Sequence, residues 1–139
     1  MSDTQTPPVA GTFCWQECMT RDAAAAKAFY TQLFGWTTSE MPMPSDDGEG
    51  VYTMFHPADG APAFGGMVEM NGEQFEGVPP HWLTYVAVDD VNVASEKAAS
   101  LGGTIMVPPT AIPEYGAFCI IQDPTGAVLA LFQPAAGGC

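Results

Sequence analysis

TFCWQECMTRDAAAAKAFYTQLFG, residues 12–35, runs from a strand pattern into a helix pattern with a capping signal between them. Phe13, Trp15, Glu17 and Met19 fall on one face of an extended segment, and Cys14, Gln16 and Cys18 on the other. Thr20-Arg21-Asp22 offers helix-capping chemistry. The run from Ala23 to Phe34 has high helix propensity, and Gly35 suits the position just past a helix end. Ala25, Phe29 and Leu33 share a stripe, the face expected to pack on a sheet.

The same plan returns in HWLTYVAVDDVNVASEKAASLG, residues 81–102: a strand, an Asp89-Asp90 cap, a helix with Ala94, Ala98 and Leu101 on one face, and Gly102. Asp22 precedes Asp90 by 68 residues and Gly35 precedes Gly102 by 67. That is a duplicated module. After the first helix a strand is expected to about Met41, then a loop through Pro42, Pro44 and the turn SDDGEG. VYTMFHP and GGMVEM follow as strands, and NGEQFEGVPP connects the halves. After the second helix come GTIMVPP, GAFCIIQ and AVLALFQP, the last two joined by a DPTG turn. The expected fold class is α+β, with two tandem βαβββ modules forming a curved mixed sheet around a cavity. Module one covers about 12–70 and module two about 81–134, in one domain over 1–139 with flexible ends at 1–11 and 135–139.

Charge narrows the partners. Among 139 residues, 16 Asp and Glu face only Arg21, Lys27 and Lys97, for a net charge of -13. Three scattered cations cannot make a basic groove, so neither nucleic acid nor an anionic membrane surface is an expected partner. No apolar run reaches the roughly 18 residues of a membrane span, and MSDTQTPPVAG lacks the regions of a signal peptide. A cytoplasmic location is expected. Cys14 and Cys18 would lie roughly 13 Å apart along one strand, too far for a disulfide. With Cys119 they read as reduced, small apolar residues, and Cys139 as a terminal thiol.

AFYTQLFGW (28–36), VDDVNVASEKAASLGG (88–103) and QDPTGAVLALFQP (122–134), in this order and spacing, resemble the vicinal oxygen chelate superfamily of glyoxalase I, bleomycin-resistance proteins and extradiol dioxygenases. The branch resembled is the group related to lactoylglutathione lyase. In metal-dependent members a His or Gln stands seven residues before each cap Asp, and the last strand of each module carries a Glu. Transferred here, those positions are Trp15 and Leu83, then Ala130 and, in the first module, Met67 with Glu69 two residues on. Trp15, Leu83 and Ala130 carry no atom that ligates a metal, so neither a metal centre nor another cofactor is expected. The resemblance further implies a homodimer.

The cavity expected from this pattern is lined by Trp15, Met19, Met67, Glu69, Leu83, Tyr85, Ala130 and Phe132, with Tyr115 and Glu114 of IPEYGAF at its mouth. Glu17 is the candidate catalytic residue. A carboxylate between Trp15 and Met19 needs a partner to offset desolvation, and cations are scarce. It serves as a general acid or base, receives a cationic or hydrogen-bonding ligand, or is held by backbone or Tyr hydroxyls. His56 and His81 read as loop or strand-edge residues, and Trp36 and Trp82 as packing anchors. Ser39, Ser45, Ser95 and Ser100 lie in no nucleophile-elbow context. Two functions stay open. One is a binding protein for a small cationic or aromatic molecule. The other is a lyase, isomerase or oxygenase-like enzyme in which Glu17 moves a proton, or a non-standard metal site acts, while Tyr85 or Tyr115 orients an oxygen.

Overall fold

A computed structural model describes residues 8–45, 48–112 and 115–135. Residues 1–7 and 136–139, which include most of the expected flexible ends and Cys139, lie outside the described residues, as do Asp46, Asp47 and Glu114. The chain divides into two compact units, residues 15–83 and, among the described residues, 8–14 with 84–135. Each carries one helix and one mixed sheet, so the α+β class with tandem βαβββ modules holds.

The first unit takes in β1 (Phe13–Thr20, from Trp15 onward), α1 (Ala23–Phe34), β2 (Thr37–Ser45), β3 (Gly48–His56), β4 (Gly65–Glu69) and a short 3-10 turn at Glu73–Phe75. Its strands run β2-β3-β4-β1. β1 and β4 are parallel, with Glu17 opposite Gly66 and Cys18 opposite Met67, while β3 runs antiparallel to both β2 and β4. Asp22 caps α1 by accepting from the Ala25 N–H at 3.0 Å. Gly35 closes the helix at φ 75°, where a side chain would be strained.

Cys18, Phe55 and Met67 form the core under α1, packed by Ala23, Ala26, Tyr30, Trp36 and Phe64. The expected stripe is therefore rotated. Ala23, Ala26 and Tyr30 face the sheet, whereas Phe29 and Leu33 stand in solvent at 58% and 57% exposure. The aromatic mass of Tyr30, stacked on Trp36 at 5.7 Å between ring centroids, sets the rotation. Phe55, fully buried, meets the rings of Trp36 and Phe64; its burial contributes about 2–3 kcal/mol.

A second difference concerns proline. β2 does not stop near Met41 but runs through Pro42, opposite Val51, and Pro44, opposite Glu49. β2 is an edge strand, so a missing N–H can face away from the ladder. β6 (Thr104–Ile112) likewise continues past Pro108 and Pro109, also at an edge, with register shifts between Ile105 and Thr110.

The second unit holds β5 (His81–Ala87, from Thr84 onward), α2 (Val91–Ser100), β6, β7 (Gly116–Gln122) and β8 (Val128–Pro134), in the strand order β5-β8-β7-β6. β5 and β8 are parallel, and β7 is antiparallel to both β8 and β6. Gly11 and Thr12 are tied to Ala87 by backbone bonds of 2.8 and 2.9 Å, so the chain is anchored just before β1. Asp90 caps α2 through the Asn92 and Val93 N–H groups. Val91, Cys119 and Leu131 form the core, with Ala94 against it, but Leu101 is 67% exposed and does not belong to the packed face as expected. Leu101 is the C-cap, where the helix no longer aims it at the sheet. Cys14, Cys18 and Cys119 are free, and burial pushes their thiols up, keeping them protonated.

Candidate functional site

β1 enters the first unit with Trp15, Glu17 and Met19 alternating on the face turned away from α1, since Cys18 lies in the core beneath the helix. β3 alternates in the same sense. Thr53 and Phe55 are buried, with Phe55 in the helix-side core, and Tyr52 points to the opposite face. There the Trp15 indole Nε1–H donates to the Tyr52 hydroxyl at 2.9 Å, and that hydroxyl donates to Glu17 Oε2 at 2.8 Å.

The directions are fixed by the chemistry of the groups. An indole N–H can only donate, so the phenolic oxygen accepts from Trp15 and spends its own proton on Glu17. Glu17, only 8% exposed, is thereby addressed as an acceptor, which compensates the desolvation of its carboxylate. Burial first, and then the negative charge of Glu17, push the Tyr52 phenol far above its ordinary range. The hydrogen bond to Glu17 adds to the rise and the one from Trp15 opposes it. Tyr52 therefore stays a neutral donor across physiological pH.

Gly66, opposite Glu17 in the β1–β4 register, makes room for this arrangement, because a Cβ there would collide with the Tyr52 ring and hydroxyl. Tyr52 is the residue that sequence reasoning missed. It is 35 residues from Glu17 and reaches it across β4. The Gly65-Gly66 pair in a strand was the signal that something approaches closely there.

The other expected cavity residues separate by face. Met67 lies in the core under α1, and Glu69 Oε1 accepts from the Ala23 N–H at 3.0 Å, at the start of the helix. Both sit on the opposite face from Trp15 and Glu17, because odd-numbered positions of β4 pair with even-numbered positions of β1. Leu83 is buried in β5. In the second unit Tyr85 pairs with Ala130, and Phe132 pairs with both Ala87 and Phe118. These residues share the face away from α2, since Val86 and Leu131 pack toward the helix. Tyr115 is 49% exposed at the turn before β7.

The three cations are spent elsewhere in part. Arg21 Nη2 donates to the Phe75 and Val78 carbonyls at 2.7 Å each and pins the connection after β4. Lys27 lies 3.7 Å from Glu40 in an exposed pair. Also in the first unit, a groove of about 390 Å³ runs past the end of β1, where Cys18 and Met19 both border it, and along Phe29 and Tyr30 of α1 to His81 and Trp82. Trp82 donates to the Tyr30 hydroxyl at 3.0 Å along this groove.

The family model described as the Glyoxalase/Bleomycin resistance protein/Dioxygenase superfamily matches residues 15–131. The chain belongs to that superfamily. It is 42% identical over 123 residues to "Putative glyoxylase CFP32" of Mycobacterium tuberculosis, a match covering 88% of this chain and 46% of the relative. It is 29% identical over 132 residues to the anthracycline biosynthesis protein DnrV of Streptomyces peucetius, covering 88% and 47%. The chain thus spans about half the length of the curated relatives it matches. Among solved structures, methylmalonyl-CoA epimerase from Mycobacterium tuberculosis superposes with a TM-score of 0.61 at 14% identity, over 97% of this chain and 93% of the other. The Streptomyces coelicolor epimerase in complex with 2-nitronate-propionyl-CoA gives 0.63 at 13%, over 94% and 99%. These two likenesses show the fold.

The superfamily's metal positions do not fit a metal here. Trp15, Leu83 and Ala130 offer no ligating atom, and Glu69 is engaged with the first turn of α1 on the other face of the sheet. Among the described residues no group of three or more His, Cys, Asp or Glu is placed to hold a metal ion. No helix of the described residues is long and apolar enough to cross a membrane.

Proposed function

We propose that this superfamily member binds a small organic molecule on the face formed by Trp15, Glu17, Met19 and Tyr52, without the family's metal centre. The observation that carries this reading is the directed chain Trp15 to Tyr52 to Glu17, which presents a carboxylate beside an indole in a mostly apolar setting. An aromatic ring stacks on the indole, and a positive charge is drawn to the negative charge of the Glu17 carboxylate beside it, so the ligand class is an aromatic amine or a comparable cation. The net charge of -13 favours encounter with cations. The similarity to an anthracycline biosynthesis protein supports an aromatic ligand of natural-product size.

Calorimetric titration with aromatic ammonium compounds, run beside their uncharged isosteres, tests the reading. Binding should prefer the charged member of each pair and lose that preference in Glu17→Gln. Equal affinity for both members contradicts it.

A second reading draws on the same hydrogen bond. Tyr52 fixes Glu17 as a proton acceptor, the role of a general base toward a bound metabolite, with Tyr52 as the orienting hydroxyl. Turnover that survives Glu17→Gln would remove this reading. A homodimer, implied by the way related proteins pair, is part of the proposal, and sedimentation as a monomer at micromolar concentration would refute it.

A further inference from the structure

Ser39 in β2 and His56 at the end of β3 form a pair on the same sheet face as Tyr52, used neither by the family positions nor by the chain from Trp15 through Tyr52 to Glu17. In the antiparallel register Thr37 stands opposite His56 and Ser39 opposite Met54, so Ser39 and His56 are diagonal neighbours on one face. Ser39 Oγ lies 2.7 Å from His56 Nε2, and His56 Nδ1 lies 2.7 Å from the Ala61 carbonyl oxygen. A carbonyl has no proton to give. Nδ1 therefore carries the ring hydrogen, and in the neutral imidazole Nε2 holds a lone pair. It follows that the Ser39 hydroxyl is the donor to Nε2.

The orienting carbonyl is itself fixed. Ala61 N–H donates to the Ala58 carbonyl at 3.1 Å and Phe64 N–H to the Phe55 carbonyl at 3.0 Å, which closes the loop after β3. Ser39 and His56 are both only half-buried, so neither residue is sealed in the core. Nucleophile, base and orienting group stand in the order that activates a serine, with a backbone carbonyl where a triad has a carboxylate.

We propose that Ser39 is a nucleophile that accepts an acyl group from an activated ester or thioester, with His56 as its base. Ser39 Oγ forms a bond to the acyl carbon while its proton passes to His56 Nε2. The bond to the leaving alkoxide or thiolate breaks, and that group takes the proton from the imidazolium. Water gives a proton to His56 Nε2 and bonds to the acyl carbon; the bond from that carbon to Ser39 Oγ breaks, Oγ takes the proton back from the imidazolium, and the carboxylic acid leaves. A carbonyl orients the imidazole but supplies no full negative charge to the imidazolium, so acylation is slower than with a carboxylate.

The probe is p-nitrophenyl acetate on the whole chain, followed by p-nitrophenolate release and by intact and fragment mass analysis. One acetyl group should appear, located on Ser39. It should be absent in Ser39→Ala, and in His56→Gln it should form about 100-fold more slowly. Fragmentation of the unmutated chain tests the assignment without relying on any variant's folding. Acetyl groups on Lys27, Lys97 or the N-terminus but not on Ser39 would overturn it. So would the absence of both labelling and Ser39-dependent p-nitrophenolate release, or a rate of release unchanged by His56→Gln.

Discussion

Gly66 and Tyr52 occupy complementary space: the side chain that Gly66 lacks would coincide with the phenol that Tyr52 places over it. The hydroxyl reaches Glu17 only because β4 has no Cβ at that point. Gly66→Ala should therefore displace Tyr52 and cost about 1–3 kcal/mol, as overpacking in a filled interior does. Equilibrium denaturation measures it. A midpoint equal to that of the unsubstituted chain would show that Tyr52 adapts without loss.

Removing the hydroxyl tests the relay itself. Tyr52→Phe leaves the Trp15 N–H and one oxygen of a mostly buried carboxylate without their bonds, a loss of about 1–3 kcal/mol. Tyr52→Phe combined with Glu17→Ala should cost less than the sum of the two single changes, because each removes the bond between them. Strict additivity in the double-mutant cycle would contradict the coupling.

The raised phenol of Tyr52 has a consequence at high pH. The folded chain holds that proton more tightly than the unfolded chain. Below about pH 10 both states keep it, so its contribution to stability is fully present and does not vary with pH. Above that value only the unfolded chain releases it, so stability falls as pH rises, with a slope of up to about 1.4 kcal/mol per pH unit from this group. Denaturation between pH 9 and 11, roughly centred on the ordinary phenol value, should show the fall in the unsubstituted chain and a smaller one in Tyr52→Phe. Identical slopes would remove the assignment.

At the other end of the pH range stands Asp123, which opens the turn between β7 and β8. Its Oδ1 accepts from the Thr125 hydroxyl at 2.7 Å and from the Thr125 and Ala127 N–H groups at 2.8 and 3.1 Å. The Thr125 hydroxyl, and then these N–H groups, hold its carboxyl below the usual carboxylate range. A depressed value means that the turn is stabilised above that range and loses the contribution as pH falls through the folded value. A carboxyl-detected NMR titration should place Asp123 below the usual carboxylate range and move it upward in Thr125→Ala. No movement in that variant would show that the hydroxyl is not the leading cause.

The helices, their Asp caps, the duplication and the superfamily are legible in the sequence because caps and periodicity are local signals. Three things were not. The packing stripe of α1 is decided by where Tyr30 meets Trp36 and Phe55, a tertiary matter that leaves Phe29 and Leu33 outside. Pro42 and Pro44 read as breakers because edge position is invisible before the strand order is known. The face of β4 depends on its register with β1, and a shift of one residue exchanges the two sides of a strand. The strand pattern alone therefore groups Met67 and Glu69 with Trp15, whereas the structure sets them on the α1 side of the sheet.

Glu69 supplies a control that follows from that face assignment. Glu69→Ala should cost about 0.5–1 kcal/mol, the worth of a carboxylate on a helix N-terminus. It should leave ligand binding at Trp15 unchanged, as seen by calorimetry. Loss of binding with unchanged stability would return Glu69 to the ligand face.

The indole region of a proton–nitrogen NMR spectrum puts ligand binding to its most direct test, because the chain has three tryptophans and they report on different places. Trp15 lies on the proposed ligand face, Trp36 under α1 and Trp82 beside the groove with Tyr30. An aromatic ammonium ligand bound at the proposed face should shift the Trp15 resonance, identified by its loss in Trp15→Phe, and leave Trp36 and Trp82 in place. A saturable shift of Trp82 with Trp15 unmoved would put the ligand in the groove and contradict the proposed site.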